Sequence, residues 1–361
     1  MSSLPYKRTL ALIFFTGFFL FPAENDVLRA DDTLNEQQKE EQRQELNELA
    51  LANAAFAAQQ QYPAPEENPW AIGVVANEGY SRNVTYDSRR KPDTFHQETV
   101  TATYTRKHDK LLYLIPDGKY GLGGTIDQMI YRRHEESDHR NFQLNPFLTA
   151  NLTKTTSLRS EYTHKKIGYI KNQAIGYLSH EFKATLAETR FTHWSHSLFT
   201  SVELKDYTKK FALDSVGGFT DNKYLDVLSE YGYSATYFPS EKLVFGVTGS
   251  YKVNDSNDNF KNTGDYDAYK VTGFIYAALN ARTSWVGAAG YEHKWYRDKT
   301  ITSDPTKLEW DGFLYFASYF YYNLSPKTQL VLSYLWDQNF SDDPLLQFNG
   351  SMATAGFSVK I

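Results

Sequence analysis

The sequence has no cysteine and, beyond its N-terminus, no apolar run of about 18 residues. Without cysteine the chain has no disulfide, no thiolate metal ligand and no cysteine nucleophile. A mean hydropathy of -0.55 and the lack of a second long apolar run exclude a bundle of transmembrane helices. The net charge of -5 comes from both signs spread along the chain without a basic stripe, which excludes the usual footprint of nucleic-acid binding.

Aromatic residues are abundant, with 27 Tyr, 24 Phe and 6 Trp among 361 residues. The last segment, 351–361, alternates with period two. Its apolar positions are Ala353, Ala355, Phe357, Val359 and Ile361, and the residues between them are Thr354, Gly356, Ser358 and Lys360. The pattern predicts a strand with one apolar and one polar face that runs to the final residue.

A long chain without cysteine that ends on such a strand resembles the bacterial outer-membrane β-barrels, a porin-like class, without pointing to one family in it. In that class the last strand closes the sheet against the first and ends on an aromatic or apolar residue. The resemblance implies that Phe357, Val359 and Ile361 belong to the barrel-closing strand. It also implies a Gram-negative outer-membrane location and contact with membrane lipid, lipopolysaccharide and the barrel-insertion machinery. The chain departs from the class by ending on Ile361 rather than Phe.

Residues 1–30 have the features of a secretory signal peptide. Lys7 and Arg8 precede an apolar run of about 12 residues, which suits a signal and is short for a membrane-spanning helix. Cleavage is predicted after Ala23 or Ala30. An uncleaved membrane anchor is the alternative.

Residues 31–69 are predicted to form a periplasmic extension. The polar stretch 36–45 and the Leu- and Ala-rich stretch 46–52 both favour helix. Three interpretations of residues 31–61 stay open: a solvated helix or disordered tail, a short coiled coil for self-association, and a plug inside the barrel. Residues 62–69 contain three prolines, which end any helix and form a stiff linker.

From Trp70 to the C-terminus, apolar and polar residues alternate in about fourteen segments, many of 12–15 residues, whereas strands of soluble sheets have about 5–6. The pattern predicts an all-β fold, a closed antiparallel up-and-down transmembrane β-barrel of about 14 strands over residues 70–361, with a short N-terminal helical extension. An even number of strands places both termini on the periplasmic side.

Two kinds of connection support the barrel prediction. Tight turns are expected near 238–242, 281–283 and 324–328, and longer loops near 210–221, 255–265, 298–307 and 341–349. Short turns at one end and long loops at the other are typical of outer-membrane barrels. The connections near 108–118 and 187–195 look too long for simple hairpins.

Aromatic residues are predicted to form two belts at the lipid–water interfaces. One belt lies beside the short turns and contains Trp70, Tyr237, Phe238 and Trp285, together with Leu324. The other lies toward the long loops and contains Tyr251, Trp295, Trp310, Trp336 and Phe340. The alternative is that these residue types simply favour strands.

The residues between the apolar positions are expected to line the lumen. The charged ones are Asp127, Arg133, Arg159, Glu161, Lys165, Glu181, Lys183, Glu203, Lys205, Asp226, Glu230, Lys252, Lys270, Glu292, Lys294, Glu309, Asp311 and Asp337. So many charges would strongly destabilise a dry core, and water in a lumen removes that cost. Because acids and bases nearly balance, two alternatives remain: a polar pore with weak ion preference, or a charge network that packs the lumen shut.

Catalytic and metal-binding signals are weak. Residues 188–197 group two histidines, two serines and an acid, but no flanking motif positions a nucleophile. The stretch from Asp255 begins like a calcium loop, yet it lacks Gly at its sixth position and has Tyr266 instead of Glu at its twelfth. We therefore expect no catalytic residue, no metal site and no cofactor.

The sequence predicts a porin-like channel for passive passage of small hydrophilic solutes, without enzymatic activity and without a nucleic-acid partner. The alternative is a barrel component of a surface export or assembly apparatus. In that case residues 31–61 would dock a periplasmic partner.

Overall fold

The computed structural model describes residues 69–361 except 85–90, 109–116, 172–175, 215, 217, 259–263, 302–303 and 345. The predicted signal peptide, the helical extension and nearly all of the linker therefore lie outside the described residues. Within the described part, no helix has the length and apolar character needed to cross a membrane.

Fourteen strands and one short 3-10 helix make up the regular structure of the described residues. The strands are β1 Trp70–Ser81, β2 Asp93–His108, β3 Gly118–Tyr131, β4 His139–Asn151, β5 Thr156–Tyr169, β6 Tyr177–Phe191, β7 Trp194–Leu213, β8 Phe219–Ser240, β9 Leu243–Ser256, β10 Tyr266–Ala278, β11 Thr283–Ile301, β12 Asp304–Ser325, β13 Thr328–Ser341 and β14 Phe348–Lys360. The 3-10 helix, Glu135–Ser137, lies between β3 and β4.

Each strand pairs antiparallel with its neighbours in sequence, and β1 pairs with β14, so the sheet closes on itself. The prediction of a closed antiparallel barrel of 14 strands is confirmed. Closure leaves no strand edge unpaired, which is the condition for a sheet to lie in lipid.

Alternation along the strands separates an outer from an inner face. Phe182, Leu198 and Phe357 are each more than half exposed on the outer face. Their neighbours in sequence point to the opposite face, where Ser201 and Met352 are buried. A surface with this much exposed apolar area matches a lipid environment better than water.

The two ends of the barrel differ in their connections. At one end, here called the short-turn end, the turns at 192–193, 241–242 and 326–327 have two residues each. The other end, the long-loop end, carries longer connections such as 132–138 and 257–265. Both β1 and β14 have their terminal residues, Trp70 and Lys360, at the short-turn end.

Three of the expected connections differ from the structure. Residues 187–195 do not form a long connection, because β6 and β7 continue to a two-residue turn at which Phe191 pairs with Trp194. The expected loops 210–221 and 298–307 are mostly strand, with register shifts after Asp206 and Trp295. In each case the strands extend past the apolar band on polar residues, which carry no alternation signal. The connection near 108–118 lies largely outside the described residues.

The seam between β1 and β14 contains nine residue pairs, from Gly73–Lys360 to Ser81–Met352. Ile361 adds a hydrogen bond from its N–H to the carbonyl oxygen of Ile72, at 3.0 Å. A Cβ on Gly356 would lie 2.0 Å from the carbonyl oxygen of Ala76. Only glycine therefore fits at this point of the seam.

Candidate functional site

The lumen is the candidate functional site because nearly all the charged residues that were predicted to line it do lie on the inner face. Seventeen of the eighteen predicted lumen residues lie on strands, on the face opposite the exposed apolar residues, and are buried or half-buried. The exception is Arg133, which lies beyond the end of β3 in the connection 132–138 and is exposed. Period-two reasoning does not apply to it, because the strand has already ended.

A wall of charged residues is formed by the inner faces of β5–β7. We call it the polar wall and define it by Arg159, Glu161, Lys183, Glu203 and Lys205. The Arg159 side chain is 42% exposed, although it lies on the inner face and donates to a Glu161 carboxylate oxygen at 2.9 Å. The nearest ion-pair distance between Lys205 and Glu203 is 3.8 Å. The wall thus presents both signs of charge to the lumen.

Aromatic rings contact two cations of the polar wall. The Arg159 guanidinium lies 4.0 Å from the centre of the Phe147 ring. The Lys183 ammonium lies 4.7 Å from the centre of the Phe199 ring. Cation–π contacts of this kind orient a charge without neutralising it.

A four-residue charge cluster lies further round the barrel, on β9–β11. Lys252, Lys270 and Lys294 surround Glu292 at 2.9, 3.9 and 3.3 Å. The register places Lys270 directly opposite Glu292, and Lys294 directly opposite Asp311 on β12. The cluster therefore links three neighbouring strands through one carboxylate.

Three of the inward acids accept hydrogen bonds from neutral donors. Asp127 accepts from the Thr99 hydroxyl at 2.6 Å and from the Gln97 amide at 3.0 Å. The Tyr207 hydroxyl donates to Asp226 at 3.2 Å. The Tyr296 hydroxyl donates to Asp311 at 3.1 Å. These bonds hold carboxylates in place without cancelling their charge.

The other side of the lumen has an apolar inner face that sequence reasoning missed. It lies near the short-turn end on β9–β13. We call it the interior aromatic wall; its residues are Val244, Tyr276, Val286, Tyr319, Tyr321 and Val331. All six are buried. The missed signal is that residues 313–322 of β12, apart from Ser318, are apolar or aromatic at both even and odd positions, so that this strand has an apolar side toward lipid and another toward the lumen.

Phe238 is placed differently from its expected position in the outer aromatic belt. It packs against the interior aromatic wall and the cluster around it. A register shift between Tyr237 and Ser240 accompanies this placement. The belt prediction is therefore wrong at this residue.

The two weak chemical motifs do not assemble a reactive site. The Nδ1 atom of His193 pairs with the Phe238 carbonyl at 3.0 Å, and His196 pairs with the Tyr233 hydroxyl. In the stretch that resembles a calcium loop, Asp255 forms an ion pair with Arg297 at 2.7 Å. Among the residues that the structure describes, no group of three or more acids or histidines is placed to hold a metal ion.

No family model and no curated protein matches this sequence. Solved structures that resemble the chain include OmpT of Vibrio cholerae, at 10% identity and a TM-score of 0.44, covering 82% of this chain and 99% of that one. An anion-selective porin from Comamonas acidovorans has 9% identity and a TM-score of 0.42, covering 81% and 98%. A bacterial polysaccharide outer membrane secretin has 8% identity and a TM-score of 0.44, covering 80% and 97%.

At these identities and TM-scores the likeness concerns barrel architecture alone, and it assigns no family to the chain. What the lumen does is therefore argued from this chain's own residues.

Proposed function

We propose that residues 70–361 lie in a Gram-negative outer membrane after removal of residues 1–30, with residues 31–69 and both termini in the periplasm. The exposed apolar outer face supports insertion into lipid. The short-turn end carries both strand termini, and short turns face the periplasm in barrels of this class. Lipopolysaccharide then surrounds the long-loop end, and insertion requires the barrel-insertion machinery.

The channel allows passive passage of small hydrophilic solutes along the polar wall. One observation carries this proposal: Arg159 is 42% exposed on the inner face, whereas Tyr321 of the interior aromatic wall is 4% exposed. Water that reaches the polar wall provides a path on that side of the lumen. The near balance of acids and bases along it favours weak ion preference over strong selectivity.

Single-channel recording in planar lipid bilayers tests the proposal. The purified mature chain is expected to give discrete conductance steps with weak selectivity. Arg159→Glu is expected to shift the reversal potential toward cation preference, because it reverses a charge on the path. Arg190→Glu is the matched control, since Arg190 also lies near the short-turn end but is 71% exposed at the end of β6.

Two results would contradict passage along the polar wall. The first is an equal shift of the reversal potential by both substitutions. The second is silence of the mature chain that persists after deletion of residues 31–61. Silence of this kind would favour the alternative function, a component of a surface export or assembly apparatus.

A further inference from the structure

The outer face of β4 and β5 carries two cations near the long-loop end. Arg140 is the second residue of β4, and Lys166 lies three residues before the end of β5. The odd-numbered residues of both strands face the lumen, where the Phe147 ring contacts Arg159 of the polar wall. The even-numbered residues therefore point outward. We call Arg140 and Lys166 the outer cation pair.

The strand register brings the two cations close together. Lys166 lies opposite Phe142, and Arg140 lies opposite Gly168, so the cations are diagonal neighbours. Diagonal positions across an antiparallel pair are about 7–8 Å apart, which lets two long side chains reach one headgroup. Gly168 has no side chain to cover Arg140. The Arg140 Nε donates to the Gln128 side-chain oxygen at 2.7 Å, and this neutral acceptor orients the guanidinium.

The acids of this region lie a strand away or pair with other cations. Glu98 on β2 is separated from the outer cation pair by β3, and its carboxylate pairs with His96 at 3.1 Å. Asp206 on β7 is separated from the pair by β6. Glu135 of the 3-10 helix pairs with Lys171, just beyond β5. Positive charge is therefore in local excess at the outer cation pair.

Other strands carry aromatic residues on the outer face toward the same end. Tyr269 on β10 is 57% exposed, and its ring centre lies 5.2 Å from that of Trp295 on β11. Phe340 lies near the same end of β13. Aromatic rings suit an ordinary lipid–water interface, whereas clustered cations suit anionic headgroups. The outer cation pair thus marks a place on the rim with a different lipid preference.

We propose that the outer cation pair binds the phosphates of lipid A, the acylated and phosphorylated anchor of lipopolysaccharide. Guanidinium and ammonium groups form strong, charge-assisted hydrogen bonds with phosphate oxygens. Apolar side chains continue the outer face toward the bilayer centre, namely Phe142, Leu178 and Phe182, the last of them 66% exposed, and they provide a surface for the acyl chains. The inference rests on the outer-membrane placement proposed above and does not require channel activity.

Native mass spectrometry of the folded mature chain in detergent micelles tests the site, with diphosphoryl lipid A added in steps. The double variant Arg140→Gln/Lys166→Gln is expected to bind lipid A about tenfold more weakly than the native chain, because both charged contacts are lost. Lys242→Gln/Lys327→Gln is the matched control. It removes the same charge from two exposed turns at the short-turn end, so its affinity should stay within about twofold of the native value.

Single variants separate binding from folding, which heat-modifiable gel mobility verifies in each case. Lys166 is exposed, so its replacement should leave the fold intact. Lys166→Gln should weaken lipid A binding, and Lys166→Arg should preserve it because the charge and the donors remain. Phosphatidylglycerol, added in place of lipid A, should bind more weakly to the native chain and respond less to the substitutions.

Two results would overturn the lipid A site. One is an equal lipid A affinity of the native chain and the Arg140/Lys166 double variant, or an equal loss in both double variants. The other is an unchanged lipid A affinity together with loss of a dimer, which would identify a second copy of the chain as the occupant. A chain that binds lipid A through the pair but does not conduct would contradict the proposed channel and leave the site supported.

Discussion

Lys252 on β9 and Glu292 on β11 form an ion pair across the intervening strand, with 2.9 Å between Nζ and Oε2. Both side chains are at most 5% exposed. The pair spans a strand because the register puts Lys270 of β10 opposite Glu292 and leaves Lys252 diagonal to it. Three lysines thus share this carboxylate.

Glu292→Gln should lower the free energy of unfolding by about 3–5 kcal/mol, because it removes the carboxylate shared by two buried ammonium groups, Lys252 and Lys294, and by the half-buried Lys270. Urea unfolding in lipid vesicles, followed by tryptophan fluorescence, measures the change. Asp304→Asn is the control, since the Asp304–Lys307 pair is exposed and its loss should not change the midpoint. The double variant with Lys252→Met should recover part of the loss, and no recovery would argue against direct coupling.

Gly356→Ala should destabilise the barrel by about 1–3 kcal/mol, because the new Cβ meets the backbone of β1 at the seam. Gly249→Ala offers a matched comparison in another strand, where a Cβ meets nothing within 4 Å. The same unfolding assay compares the two. Equal effects would mean that the close approach at Gly356 does not limit closure.

Phe357→Arg should reduce insertion into lipid vesicles, because it places a cation on the outer face of β14. The expected cost is below the roughly 2–4 kcal/mol of a cation at the bilayer midplane, since Phe357 lies only three residues from the end of the strand. Ser358→Arg tests the neighbouring inward position, where the charge reaches the lumen. Heat-modifiable gel mobility after folding into vesicles reports the inserted fraction. If Ser358→Arg impairs insertion more than Phe357→Arg does, the assignment of outer and inner faces on β14 is wrong.

Asp138, in the connection between β3 and β4, gives a pH prediction. Burial raises the pKa of its carboxyl group, although the Tyr131 N–H that it accepts at 2.7 Å acts in the opposite direction. The folded chain then binds this proton more readily than the unfolded chain, so stability falls as pH rises from the ordinary value through the raised one.

Asp138→Asn keeps an acceptor for the Tyr131 N–H and removes the titration. Unfolding midpoints between about pH 3 and 7 should therefore fall less steeply in this variant than in the native chain. Parallel pH profiles for the two chains would contradict the assignment to Asp138.

The fold was predictable because lipid on one side and water on the other impose a strict period of two. Phe357 and Val359 carry that signal without ambiguity, and the strand number followed from it. The interior aromatic wall was not predictable in this way, since Tyr319 and Tyr321 are as apolar as the lipid-facing Phe320 between them. The polar extensions of strands, such as the end of β6, were also not predicted, because residues outside the bilayer need not alternate between apolar and polar.

The same alternation predicted which charged residues face the lumen. It did not predict which of them form ion pairs with each other. The diagonal contact of Lys252 with Glu292 depends on the register of β10, which no local pattern specifies. The prediction failed at Arg133 for a different reason. Its position in the alternation is that of an inward residue, but β3 ends at Tyr131, so the alternation no longer determines where Arg133 lies.

The seam has a consequence for insertion. Val74 of β1 pairs with Val359 of β14, so the two strands that close the ring lie at opposite ends of the barrel sequence. Strands β2 to β13 pair only with strands adjacent in sequence, whereas β1 and β14 each need a partner from the far end. A barrel without β14 would keep two open edges, on β1 and β13, and unpaired backbone groups of that kind are not tolerated in the hydrocarbon of a bilayer.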